Sequence, residues 1–144
     1  MYEELRRAII IDNYNNPFNK ESVNDPNFIH VHVKSPTCID DLTMFIKIEN
    51  DIVVDAYFDG EACAISTSAT SIFLRKIIGL KLDEVLKIMD NYNKMIEEKE
   101  YDSSCLEELN VYSEIYKQAN RKRCALLPVL TMEKVIDEYE KEKV

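Results

Sequence analysis

Apolar residues first fall at helical spacing in residues 2–14, where Leu5, Ala8 and Ile9 share a side, and the Asn-Pro turn signal in NNPFNK at 15–20 ends that helix. From Phe28 the period changes to two. Ile29, Val31 and Val33 alternate with His30, His32 and Lys34, as a half-buried strand requires. Two more strands follow: one has Leu42, Met44, Ile46 and Ile48 on one face, the next Ile52, Val54, Ala56 and Phe58, and Asn50-Asp51 makes the hairpin turn. Short connections between consecutive strands predict an antiparallel meander.

After Gly60 the helical period returns. Ile65, Ala69, Ile72, Phe73 and Ile77 form a stripe, with Ser66 or Thr67 as N-cap and Gly79 at the C-terminal end. Leu82, Val85, Leu86, Met89 and Ile96 mark the next helix, which carries Asp83 and Glu84 in its first turn. Ser104-x-x-Glu107 reads as a capping box for a short helix through Leu106 and Leu109. The last helix presents Val129, Met132, Val135, Ile136 and Tyr139. Pro128 is tolerated best in a first turn, which places the start of that helix close to Cys124. One helix, three strands and a run of helices is the grammar of an α+β fold: a three-stranded antiparallel sheet with an N-terminal helix and several helices packed on one face.

Composition narrows the function. The chain has 144 residues, of which 46% are apolar, enough for a core without disulfide staples; two glycines and no linker predict one domain over residues 1–144. A formal charge of −9 opposes phosphate-driven binding of nucleic acid. Apolar runs of at most four residues oppose a membrane span, and MYEELRRAIIID does not read as a secretory signal. A reducing cytoplasm is the expected compartment, where four cysteines serve as core residues, metal ligands or reactive thiols.

Cys38 lies in SPTCIDD between two predicted strands, with Asp40 two residues on; Cys63 lies in GEAC before a helix, and Cys124 in RKRC at the predicted start of another. Three thiolates and a carboxylate match tetrahedral zinc in number and type. Spacing alone does not decide: 24 residues separate Cys38 from Cys63, 60 separate Cys63 from Cys124, and small buried thiols are ordinary core residues. A zinc site with those ligands carries a formal charge of about −2, and Arg121, Lys122 and Arg123 form the densest basic cluster of the chain beside Cys124. Such neighbours and helix N-termini favour thiolates.

Other readings rank lower. His30 and His32 point to one side of a strand as a rival metal pair without an evident third ligand. The Ser/Thr run from Ser66 to Ser71 lacks the glycines and lysine of a phosphate loop. A cysteine hydrolase needs a base near a thiol, and both histidines lie in one strand. Cys105 receives no role.

Taken together, IIDNYNNPFNK at 10–20, SPTCID at 35–40, FDGEACAIS at 58–66 and NRKRCA at 120–125 resemble segments of the U-type iron–sulfur cluster assembly proteins, and within them the SufU branch (related to IscU and the NifU N-terminal domain). The resemblance covers nearly the whole chain, including extra length before Cys124, placed around residues 99–114. Ile39, Ala62 and Asn13 stand where the family has Gly, Gly and His. The resemblance implies that Cys38, Asp40, Cys63 and Cys124 occupy zinc-ligand positions and that Arg121 steadies the site electrostatically. It also implies a sulfurtransferase-like acceptor of persulfide sulfur from a SufS-like cysteine desulfurase, rather than a conventional turnover enzyme, serving downstream iron–sulfur assembly or recipient proteins. Cys38, on a loop, is the first choice of acceptor and Cys124 the second. The alternatives are a scaffold that builds and transfers a [2Fe–2S] cluster on the same ligands, and a structural zinc or cysteine-core interaction module.

Overall fold

The computed structural model of the chain describes residues 2–34 and 39–143. Helix α1 (Glu3–Asn15) leads into β1 (Ile29–Lys34), β2 (Asp41–Glu49) and β3 (Ile52–Glu61), then α2 (Ala64–Ile77), α3 (Leu82–Ile96), three short 3₁₀ turns between Ser103 and Lys117, and α4 (Ala119–Glu142). The strands pair antiparallel in the order β1-β2-β3, the expected meander. Asn50 and Asp51 close the β2–β3 hairpin with φ of 51° and 60°, the left-handed pair that a two-residue turn of the right twist demands.

One strand face changes phase. Ile48 pairs with Val53 and Lys47 with Asp55, which leaves Val54 as an extra residue in β3. The bulge puts Val53, Ala56 and Phe58 into the core and leaves Val54 exposed, contrary to the unbroken alternation expected from Ile52 to Phe58. Gly60, φ +124°, ends this strand against β2: a Cβ there would lie 2.0 Å from the Asp41 carbonyl oxygen.

α2 lies on β3, α4 crosses β1 and β2, and α1 packs on α2, so the helices cover one sheet face around a single apolar cluster that includes Met44, Phe58, Phe73, Tyr92 and Met132. α2 is buried nearly all round, from Ser66 to Leu74 and at Ile77. Its buried hydroxyls are spent on hydrogen bonds: Ser71 donates to Asn13 Oδ1 (2.8 Å) and accepts from Phe18 N–H (2.8 Å), and Ser68 bonds Tyr112 (2.5 Å).

Three helix starts differ from expectation. α2 is capped by Cys63, whose Sγ accepts from Ser66 N–H, and neither Ser66 nor Thr67 is the cap. α4 begins at Ala119, so Pro128 lies inside the helix and Cys124 in its second turn. The capping box at Ser104 is also absent: Asp102 accepts from Ser104 N–H (3.0 Å), and Glu107 reaches Lys76 (2.6 Å) instead. No helix among the described residues is long and apolar enough to cross a membrane.

Candidate metal centre

The N-terminus of α2, the start of β2 and the second turn of α4 meet at one point. There Asp40, Cys63 and Cys124 bring a carboxylate oxygen and two sulfurs within 4.8 Å of one another, the group of metal-ligating side chains found among the described residues. Cys38, two residues before Asp40, lies outside the described residues together with the rest of SPTC. Asp40 is 1% and Cys124 3% exposed, whereas Cys63 is half-buried and reaches the surface.

The three donors are held by a shared scaffold. Asp40 Oδ1 accepts from Cys63 N–H at 2.9 Å and Oδ2 from the Ser66 hydroxyl at 2.6 Å, so the carboxylate binds the N-terminus of α2, where the helix dipole favours negative charge. The Cys63 thiol in turn faces the Ser66 hydroxyl at 3.4 Å. Ser66 also lies 3.2 Å from the Cys124 carbonyl. Sequence reading missed Ser66 as part of the site, because a serine at a helix start looks like an N-cap; its signal was position, three residues after a cysteine cap.

Burial above all, then the Cys63 thiol and the Asp40 carboxylate, pushes the Cys124 thiol from 9.0 up to about 12. This reverses the expectation that basic neighbours and a helix start would depress it: Cys124 is inside α4, and Arg121 and Arg123 point to the surface. A cation beside the buried Cys124 thiol would offset the penalty of burial and favour its thiolate.

The donor set fits zinc. A tetrahedral ion with bonds of about 2.0–2.3 Å holds its donors about 3.3–3.8 Å apart, so donors within 4.8 Å of one another have at most about 1.5 Å to close. Two thiolates argue against magnesium or calcium, which prefer oxygen shells.

The remaining candidates lie elsewhere. Arg121 is exposed in the first turn of α4; the arginine that lines a cavity of about 330 Å³ with Asp40 is Arg123, alongside Lys34 and Leu127. His30 packs edge-on against Phe45 with ring centroids 4.9 Å apart, and His32 pairs with Asp41 on the exposed sheet face. Cys105 sits at a separate cavity of about 560 Å³ with Arg75, Lys76 and Lys87. Tyr112, from the 3₁₀ region, packs beneath α2 beside Cys63, and burial raises its pKa.

Comparison with known proteins bears on the family and the fold. The profile of the NifU-like N-terminal domain matches residues 5–143. The zinc-dependent sulfurtransferase SufU of Bacillus subtilis (strain 168) is 34% identical over 139 residues, covering 96% of this chain and 93% of that protein. The iron–sulfur cluster assembly scaffold protein IscU of Thermotoga maritima is 29% identical over 103 residues, 72% of each chain. Among solved structures, a protein from Fervidobacterium islandicum AW-1 described as an iron–sulfur cluster assembly scaffold for the SUF system superposes with a TM-score of 0.83 at 28% identity, over 88% of this chain and 93% of that one. With a profile match over almost its full length and the same sheet and helix arrangement, this chain belongs to the NifU-like N-terminal domain family.

Proposed function

We propose that this chain holds zinc through Cys38, Asp40, Cys63 and Cys124 and uses the site in the cytoplasm to accept persulfide sulfur from a cysteine desulfurase, passing it on for iron–sulfur assembly. The observation that carries the reading is the convergence of Asp40, Cys63 and Cys124 within 4.8 Å from three elements distant in sequence. The likeness to a zinc-dependent sulfurtransferase over 96% of the chain supports the same chemistry. Bound zinc keeps coordinated thiols deprotonated at neutral pH.

The residues divide the work. Cys63 caps α2 and Cys124 is buried in α4, so both are anchored donors. Cys38 belongs to the segment that joins β1 to β2 and is the proposed acceptor. Its thiolate attacks the outer sulfur of the desulfurase persulfide; a new S–S bond forms, the old one breaks, and the desulfurase cysteine leaves as a thiolate with the bonding pair. The proton on the transferred sulfur travels with it. Arg123, which lines a cavity with Asp40, offers positive charge to the anionic site and the incoming sulfur.

Cys38→Ala tests the assignment: the variant should stay folded and lose stimulation of a cognate desulfurase, and full stimulation would reject Cys38 as acceptor. A second reading, a [2Fe–2S] scaffold on the same ligands, is favoured by the likeness to IscU. Against it stands the family resemblance alone: the scaffold branch typically has His before this cysteine, where this chain has Arg123. Anaerobic reconstitution separates the two, since a scaffold develops stable visible absorption and hands its cluster on.

A further inference from the structure

Pro128 sits in the tenth position of α4 and has no backbone N–H to offer the carbonyl four residues earlier, which is that of Cys124. A buried carbonyl left without its helical donor needs another partner. The Ser66 hydroxyl lies 3.2 Å from it, and the same hydroxyl lies 2.6 Å from Asp40 Oδ2. Ser66 is fully buried, and its own N–H is committed to Cys63 Sγ. One residue therefore touches all three described donors of the candidate centre: Cys63 through its amide and hydroxyl, Asp40 through its hydroxyl, and Cys124 through the carbonyl that Pro128 frees. The neighbouring Ala125 carbonyl is held in a similar way by the Tyr92 hydroxyl at 2.7 Å.

We propose that Ser66 is a positioning residue of the centre: its hydroxyl, shared between Asp40 and the Cys124 carbonyl exposed by Pro128, ties β2 and α4 to the first turn of α2 and keeps the donors in register when one ligand leaves the metal. The inference rests on the zinc-centred reading above. A serine at this place does not ligate. It sets how far Asp40 and Cys124 drift from Cys63, and so how fast the ion is lost.

The test is the rate at which the zinc-loaded full chain releases its metal to an excess of the chelator 4-(2-pyridylazo)resorcinol. Ser66→Ala should bind zinc at the wild-type stoichiometry yet release it about tenfold faster, the combined factor expected for losing a hydroxyl shared between a carboxylate and a buried carbonyl, and Ser66→Thr should stay within about threefold of wild type. On a Pro128→Ala background the residue at 128 supplies the missing N–H, so only the Cys124 carbonyl share of the effect is removed, and Ser66→Ala should speed release by about threefold, the Asp40 share remaining. A packing role alone would leave the effect the same on both backgrounds. Should Ser66→Ala fail to fold, Ser66→Val and Ser66→Thr, alike in volume and different in the hydroxyl, carry the comparison, with faster release expected from the Val variant. Equal release from Ser66→Ala and wild type, equal release from the Val and Thr variants, or an undiminished effect on the Pro128→Ala background overturns the proposal and leaves the zinc reading standing. A wild-type chain that takes up no zinc overturns both.

Discussion

Two cysteines flank α2, Cys63 at its N-terminus and Cys105, from the first 3₁₀ turn, beside its C-terminal half, and they differ in everything that makes a thiol useful. At the N-terminus, Cys63 meets a second sulfur and a buried carboxylate, all stitched together through Ser66. Toward the C-terminal half, Cys105 lies near Ile72, Arg75 and Lys76 with its Sγ turned to the Asp102 carbonyl at 3.2 Å; burial first and Asp102 second raise its pKa. Lysines alone have not activated it. A metal-capable centre requires donors from different elements brought together by a scaffold, and the carboxylates that line the second cavity, Glu84, Glu107 and Glu108, do not converge with Cys105 as Asp40, Cys63 and Cys124 converge with one another.

The largest break in that comparison comes from the end of β3, which packs against the start of β2. Gly60→Ala forces a Cβ to within 2.0 Å of the Asp41 carbonyl at a φ of +124°, one residue from Asp40. Strain and overpacking together should cost about 2–5 kcal/mol, read as a fall in the denaturant midpoint, and should displace the start of β2. Next comes Asp40→Ala, which leaves the Cys63 N–H and the Ser66 hydroxyl without this buried acceptor. It should cost about 1–3 kcal/mol even in zinc-free buffer, because Asp40 caps α2 whether or not it binds an ion. A loss seen only with zinc present would mean that the carboxylate is a ligand and nothing more.

The smallest effect belongs to the other end. Lys76, through its hydrogen bond and charge, lowers the pKa of Glu107 below 4.5. A depressed folded pKa means the pair contributes above 4.5 and is lost as pH falls through the folded value. Glu107→Gln should flatten the acid-side decline of Tm between about pH 5 and pH 3 by no more than a surface ion pair allows, and should leave zinc content untouched.

Much of the fold was legible because local chemistry and global packing agree. The alternation through Ile29–Val33 and Leu42–Ile48 and the Asn50-Asp51 turn specify the meander directly. The phase of β3 was not, since a bulge at Val54 leaves no mark in a run of apolar residues. Pro128 misled for a physical reason: a proline inside a helix is costly, and here buried hydroxyls of Ser66 and Tyr92 from α2 and α3 satisfy carbonyls around the gap. Those partners are invisible along the chain. The centre itself was only half legible. Cysteines this far apart say little by spacing, and the resemblance to a known family supplied the grouping that folding then produced for Asp40, Cys63 and Cys124.

The account is tested most directly by metal content per chain, measured by elemental analysis on protein purified without oxygen, for wild type, Cys63→Ser and Cys105→Ala. About one zinc in the wild type and in Cys105→Ala, and none in Cys63→Ser, is the predicted result. Zinc retained by Cys63→Ser, or lost from Cys105→Ala, would contradict the placement of the centre at the N-terminus of α2.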